Sequence, residues 1–195
     1  MVKVQGDHEF SIKEDRPMDT AVLEAISRLL DLEDFEVVAV NSDPAGKIRE
    51  MIMVATMVAA PCPHCGQVTA DRHKCYDRRV SDLPMSGWQT ELVVTLFQFK
   101  CGDCRKYFTP RYRGLSADGA HATERFLERL ADFATHGDVA GAAKFLGIAE
   151  KTAEDWYYDY LRRKQKEPSK DLQPIVSMGI DEISLKKDSA SSAAS

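Results

Sequence analysis

The sequence predicts an α+β protein: a small β-rich ribbon, preceded by a helix and a β-hairpin and followed by an all-α helix-turn-helix unit. Three observations carry this expectation. Cys62-Pro-His-Cys65-Gly66 and Cys101-Gly-Asp-Cys104 form two Cys-x-x-Cys pairs with 35 residues between them. The stretch Glu91 to Phe99 between the pairs is rich in Val, Leu and Phe, as strands are. From Thr123 onward, apolar residues recur at helical spacing, and Gly147 interrupts two such runs.

Residues 1–18 have no periodicity and carry mixed charge, so they read as a flexible arm. Asp19 or Thr20 can cap a helix whose apolar positions Val22, Ile26, Leu29 and Leu30 share a face. Phe35 to Val40 is strand-like, Asn41 to Gly46 is a turn cluster, and a second strand falls within Ile48 to Val58. Residues 19–60 are thus a helix and a β-hairpin leading into the ribbon. Met51, Met53 and Met57 read as core filler, because a flexible thioether packs irregular gaps.

Residues 61–110 form the ribbon. Four thiolates presented by two tight turns suit tetrahedral zinc, and a glycine beside each pair lets backbone amides fold around the sulfurs, often at positive φ. Four sulfurs leave no open coordination position, so the metal is structural rather than catalytic. His64 and His73 are the alternative donors, and His64 lies inside the turn. Cys75 is left over as a partly buried free thiol. Asp77 to Pro84 reads as a short strand, and Met85-Ser-Gly-Trp88 as a turn.

Residues 111–122, with Gly114 and Gly119, read as a linker, and 123–166 as the helix-turn-helix unit. A first helix, Thr123 to Thr135, has Phe126, Leu127, Leu130, Phe133 and Ala134 on one face, and Gly137 stops it. Asp138 caps a short helix, Val139 to Phe145, and Leu146-Gly-Ile148 is the turn. A longer helix then runs from about Glu150 to about Lys164. Ala142, Ala143, Leu146, Ile148, Ala153 and Trp156 would supply the core between these two helices. Residues 167–195 read as a linker and one apolar strand, Ile175 to Glu182. A lone strand cannot pair its backbone, so this tail is expected to be disordered.

Composition limits the function classes. The chain has 195 residues, 44% of them hydrophobic, and a net charge of −5. That total conceals an uneven distribution. Residues 1–60 hold 6 Lys/Arg against 12 Asp/Glu, whereas residues 61–120 hold 9 against 6. The positive excess sits around the cysteines, and local fields are what attract a phosphate backbone. The candidate DNA contacts are therefore Arg78, Arg79, Arg105 and Lys106 on the ribbon. Lys151, Thr152, Arg162, Arg163 and Lys164 are the candidates on the last helix. Against them, Glu150, Glu154 and Asp155 share the last helix's exposed face and repel phosphate. Cysteines in metal spacing argue for a reducing compartment, and the N-terminus shows no apolar signal region. The longest apolar run, Met51 to Ala60, is too short to span a bilayer. Cytoplasmic residence and no membrane partner follow as expectations.

The order of a hairpin, CPHCG, DRRVSDLP, FKCGDCRKYFTP, a helix-turn-helix and GIDEISLKK resembles the ISL-three family of bacterial insertion-sequence transposases, over about residues 20–187. The resemblance implies a zinc ribbon and a helix-turn-helix reading duplex DNA at the element's terminal repeats, joined to an RNase H-like catalytic domain. It implies structural Zn2+ on Cys62, Cys65, Cys101 and Cys104. It also makes Asp181 the first acid of a catalytic Asp-Asp-Glu set. That set would hold Mg2+ in an intact full-length relative, because phosphoryl transfer needs several carboxylates around two divalent ions. Only 14 residues follow Asp181, so the expectation is a DNA-binding portion that is catalytically incomplete as it stands, with Asp181 a remnant. Its partners would be terminal-repeat DNA, and a second copy or a full-length transposase. The alternative is a zinc-stabilised protein-interaction or regulatory module derived from a transposase.

Overall fold

The computed structural model describes residues 18–116 and 120–166. The arm ahead of residue 18, the strand proposed at 175–182 and Asp181 lie outside the described residues. The elements in chain order are α1 (Thr20–Leu30), β1 (Phe35–Asp43), β2 (Ile48–Ala55), β3 (Ala60–Pro61), β4 (Val68–Thr69), β5 (Arg72–Met85), β6 (Trp88–Lys100), β7 (Tyr107–Phe108), α2 (Glu124–His136), α3 (Val139–Leu146) and α4 (Glu150–Lys166). The protein is thus mixed α and β, with one five-stranded sheet in the order β1-β2-β6-β5 and β7 paired to β6.

Asp19 caps α1 by accepting from the Ala21 amide at 3.0 Å. Half of the expected face is buried. Leu30 is buried and Leu23 and Ile26 pack on the core, whereas Val22 is 46% and Leu29 80% exposed. Two apolar stripes compete on this short helix, and Ser27 decides between them. Its Oγ accepts from the Val37 amide at 2.9 Å, turning the Leu23–Ile26–Leu30 stripe onto the sheet.

Strands β1 and β2 form an antiparallel hairpin, and β5 and β6 form a longer one. The second hairpin turns through Ser86 and Gly87, with φ of 54° and 77°, between the paired Met85 and Trp88. Two consecutive positive φ values match the twist of the flanking strands. The strand before that turn is longer than expected, running from Arg72 through Pro84. Proline is tolerated because β5 is an edge strand, and its register slips between Asp82 and Met85.

The pairing that organises the molecule is between β2 and β6. It is parallel, with Ile48 opposite Gln89 and Val54 opposite Thr95. Chain entering the first cysteine turn and chain leaving the hairpin tip therefore run side by side. Met51, Met53, Leu92, Val94, Leu96 and Phe99 join Phe35 and Leu30 in one core. The methionines are core filler, at 2% and 0% exposure for Met51 and Met53.

The connection after β7 is packed rather than loose in its described parts. Tyr112 and Leu115 are buried, and the Tyr112 hydroxyl accepts from the Phe97 amide at 3.0 Å. The Arg113 amide donates to Asp34 at 2.6 Å. Ala122 then forms a parallel bridge to Ser81 on the free edge of β5.

Helices α2, α3 and α4 share a second core of Phe126, Leu127, Leu130, Ala131, Ala142, Ala143, Leu146, Ala153 and Tyr160. Phe133, expected on the inner face of α2, is 36% exposed, and Ala131 lies inside instead. Phe133 packs edge-on to Phe145, with ring centroids 4.8 Å apart. Thr123 caps α2, and Asp138 caps α3 by accepting from the Gly141 amide. Gly147 ends α3 at φ +70°, and a Cβ there would lie 1.9 Å from Gln89 Nε2. The turn between α3 and α4 therefore rests on the start of β6, and Gln89 donates to the Gly147 carbonyl at 3.2 Å.

Candidate metal centre and nucleic-acid interface

Two turns hold the cysteines. In the first, the Gly66 amide donates to the Cys62 carbonyl at 2.8 Å and the Cys62 amide to the Gln67 carbonyl at 2.8 Å. In the second, the Cys101 amide donates to the Lys106 carbonyl at 2.9 Å. The position just after the last cysteine is left-handed in both turns, at Gly66 (φ +80°) and at Arg105 (φ +58°). Glycine serves the first turn as expected. In the second, the left-handed residue is Arg105 rather than Gly102, at a steric cost of about 1–2 kcal/mol.

The two turns meet. Cys62 Sγ lies 3.6 Å from Cys104 Sγ, and Cys65 Sγ lies 3.5 Å from Cys101 Sγ. All four sulfurs fall within 4.8 Å of one another. Sulfurs at the usual Zn–S length around a tetrahedral ion are about 3.8 Å apart, so this cage fits zinc closely. Cys62 and Cys101 are buried in the sheet core, Cys104 is half-buried against it, and Cys65 is exposed. His64 and His73 are not in the cluster; among the described residues it consists of the four cysteines.

The thiols also show why a cation belongs there. Burial raises the Cys62 thiol, but the amides of His64 and Cys65 and the thiols of Cys104 and Cys65 outweigh it and bring Cys62 to about 7. At Cys65 the Gln67 amide favours the thiolate, yet Cys101, burial and the other two thiols prevail and push it to about 12. Four thiolates this close repel one another, and a divalent cation removes the conflict.

Residues 59–104 match the family model described as the zinc-finger of transposase IS204/IS1001/IS1096/IS1165. This ribbon is of the transposase type. Its four cysteines hold a structural Zn2+, as the geometry and the match together indicate. None of the curated proteins and none of the solved structures compared matches the chain. Among the described residues, no helix is long and apolar enough to cross a membrane.

The cationic residues singled out in the sequence are distributed unevenly around the ribbon and helices. Arg78 donates to the Ala120 carbonyl at 2.7 Å, and Arg79 bridges Glu50 at 2.8 Å and Glu91 at 3.0 Å. Those carboxylates raise the Arg79 pKa, with the Glu50 hydrogen bond the largest cause. Arg163 grips Glu124 at the start of α2 with two hydrogen bonds, at 2.7 and 3.2 Å, and is only partly exposed. Lys164 lies 5.6 Å from the Tyr160 ring. On α4, Lys151 sits 2.9 Å from Asp155 and 3.6 Å from Glu154, and Arg162 pairs with Asp159. Thr152 is half-buried, while Arg105 and Lys106 are exposed. Among the described residues, Arg105 and Lys106 have no carboxylate within ion-pair distance.

In the sequence His73 figures only as an alternative metal donor, and Lys100 only as the residue before Cys101. The structure brings both to Tyr107. The His73 and Tyr107 rings are 4.4 Å apart, and Lys100 Nζ is 5.9 Å from the Tyr107 ring. The pairing of β6 with β7 on one side and with β5 on the other creates this neighbourhood.

Proposed function

We propose that the chain is the DNA-binding portion of an insertion-sequence transposase, holding duplex DNA of the element ends through the ribbon and the α3–α4 helix pair. The observation that carries this reading is the match of residues 59–104 to a transposase zinc finger, joined to a four-sulfur cage of zinc dimensions. Further support comes from the helix pair. Eight-residue α3, a left-handed Gly147 and seventeen-residue α4 have the proportions of a helix-turn-helix, with Ala143 small where the helices approach.

Charge refines which residues make contact. Exposed ion pairs contribute only about 0–1 kcal/mol, so phosphate can recruit Lys151 and Arg162 from their carboxylates at little cost. Arg105 and Lys106 need no such exchange. Arg78 and Arg163, partly buried and bound within the fold, contribute to the field rather than to direct contacts, whereas Arg79, 66% exposed, can be recruited from Glu50 and Glu91 as Lys151 can from its carboxylates. The acids Asp71 and Asp103, with the two negative charges that four thiolates leave on one zinc, reduce the excess around the knuckles. Arg72, Lys74, Lys100, Arg105, Lys106 and Arg111 still outnumber them.

The test is binding of the zinc-loaded chain to terminal-repeat duplex and to scrambled duplex at moderate salt. Selective binding, weakened with a smaller salt slope by Arg105→Ala with Lys106→Ala, is the expected result. Equal affinity for both duplexes, no stronger than nonspecific binding, would overturn the reading.

A second reading, a transposase-derived protein-interaction module, is favoured by the outer face of α4. Glu150, Glu154, Asp155 and Asp159 crowd it and suit a basic partner surface. Arg162→Glu separates the two, because a DNA reader loses affinity and a protein docker need not.

A further inference from the structure

Strand alternation sets two layers at the knuckle end of the sheet. Phe99 lies opposite Phe108, and their rings stack at 6.0 Å inside the core. Lys100 lies opposite Tyr107, one residue on, so this pair points away from the Phe99–Phe108 layer. His73 arrives from β5 where its register slips between Arg72 and Lys74, and it reaches Tyr107 at 4.4 Å. A row His73–Lys100–Tyr107 therefore crosses three strands. Tyr107 keeps 49% of its surface exposed.

The row is held firmly from behind. Thr69 Oγ1 donates to the Lys100 carbonyl at 2.9 Å, and the Lys100 amide donates to the Asp71 carbonyl at 2.9 Å. The second metal turn, whose Cys101 amide is tied to Lys106, leads directly into Tyr107. Arg105 and Lys106 stand exposed at one end of the row, and Lys74 at the other.

A half-exposed aromatic ring on a strand, with cations beside it, has no stacking partner along the interior of an intact duplex, where neighbouring pairs cover both faces of every base. It suits an unpaired nucleotide: the base stacks on the ring while the flanking cations take the phosphates. We propose that this row binds unpaired DNA next to a duplex, with a base against Tyr107 and phosphates at Lys100, Arg105 and Lys106. The inference rests on the DNA-binding reading above and specifies the form of DNA that the ribbon takes.

Anisotropy titrations of the zinc-loaded full chain test it. The probes are blunt terminal-repeat duplex, the same duplex with a short single-stranded overhang, and the overhang strand alone. The overhang duplex is expected to bind at least about fivefold more tightly than the blunt one. Tyr107→Ala should remove that gain and leave blunt-duplex affinity unchanged, while Tyr107→Phe should keep it, because stacking needs the ring and not the hydroxyl. Zinc content and the far-ultraviolet spectrum of each variant establish that the ribbon is intact. If blunt and overhang duplexes bind equally, or if Tyr107→Ala weakens both alike, the row is not a base platform, although duplex binding stands. If the overhang strand binds through Tyr107 while no duplex binds, this inference survives and the duplex reading falls. Binding of none of the three probes overturns both.

Discussion

The buried carboxylate of Asp82 takes the guanidinium of Arg125 with both oxygens, Nε donating to Oδ1 at 2.8 Å and Nη2 to Oδ2. Asp82 lies on β5 and Arg125 in the first turn of α2, and Arg125 also donates through Nη1 to the Leu30 carbonyl at the end of α1. The Thr123 hydroxyl adds a 2.7 Å hydrogen bond to the same carboxylate. One acid thus ties the sheet to both helical regions.

Asp82→Ala should therefore destabilise the protein by about 3–5 kcal/mol, because it leaves a partly buried guanidinium and a buried hydroxyl without their partner. Urea unfolding monitored by circular dichroism measures the loss. An effect within experimental error would show that the two cores are held together elsewhere.

Removal of zinc should loosen the knuckle end before the helices. Chelation, or Cys101→Ser, is expected to lower the thermal midpoint and to expose the amides of residues 59–72 and 97–108 to hydrogen exchange, with α2–α4 less affected. Coordinated thiolates compete with protons, so zinc retention should fall as pH falls. A metal content that stays constant down to strong acid would contradict a four-thiolate site.

Gly147 offers a test of the α3–α4 turn. Gly147→Ala meets both a left-handed backbone and the Gln89 amide, and a loss of at least about 1–2 kcal/mol is expected. Adding Gln89→Ala should recover only the steric part. Full recovery in the double variant would show that the backbone conformation itself is costless there.

Arg163 and Arg105 should separate stability from binding. Arg163→Ala is expected to lower the unfolding midpoint by removing the two hydrogen bonds to Glu124, and to alter the salt slope of DNA binding little. Arg105→Ala should do the reverse. Paired thermal melts and salt titrations decide between the roles.

Tyr112 should make the fold less stable at alkaline pH. Burial is the main reason its pKa is raised, with the coulombic effects of Tyr76 and Asp34 acting the same way. A raised tyrosine pKa means that the folded state favours the neutral phenol. The resulting stability is present below the ordinary value of about 10 and is lost as pH rises through the folded value. Tyr112→Phe should cost about 1 kcal/mol near neutrality, by removing the hydrogen bonds to Phe97, and should abolish this alkaline loss. Chemical denaturation at neutral and alkaline pH checks both.

The metal ligands and the helix starts were legible from sequence because their physics is local. A cysteine pair folds within five or six residues, and Asp19, Thr123 and Asp138 each satisfy amides two or three residues away. The packed face of α1 was legible only at Ile26 and Leu30, since Val22 and Leu29 are as apolar as Leu23 and only the distant Val37 amide distinguishes them. The fate of the cations was hidden too. Nothing near Arg79 indicates that Glu50 and Glu91 will flank it, and nothing near Arg163 indicates Glu124.

The sequence by itself therefore determined four thiolates for one zinc, a hairpin before them and three helices after them, the second capped by Asp138. Tertiary structure alone decided that β2 lies parallel to β6, that β7 carries Tyr107 to His73 and Lys100, and that Asp82 joins sheet to helices. Turns and caps satisfy hydrogen bonds within a few residues. Strand neighbours and buried ion pairs are chosen by how the whole chain covers its apolar surface, which no short stretch encodes.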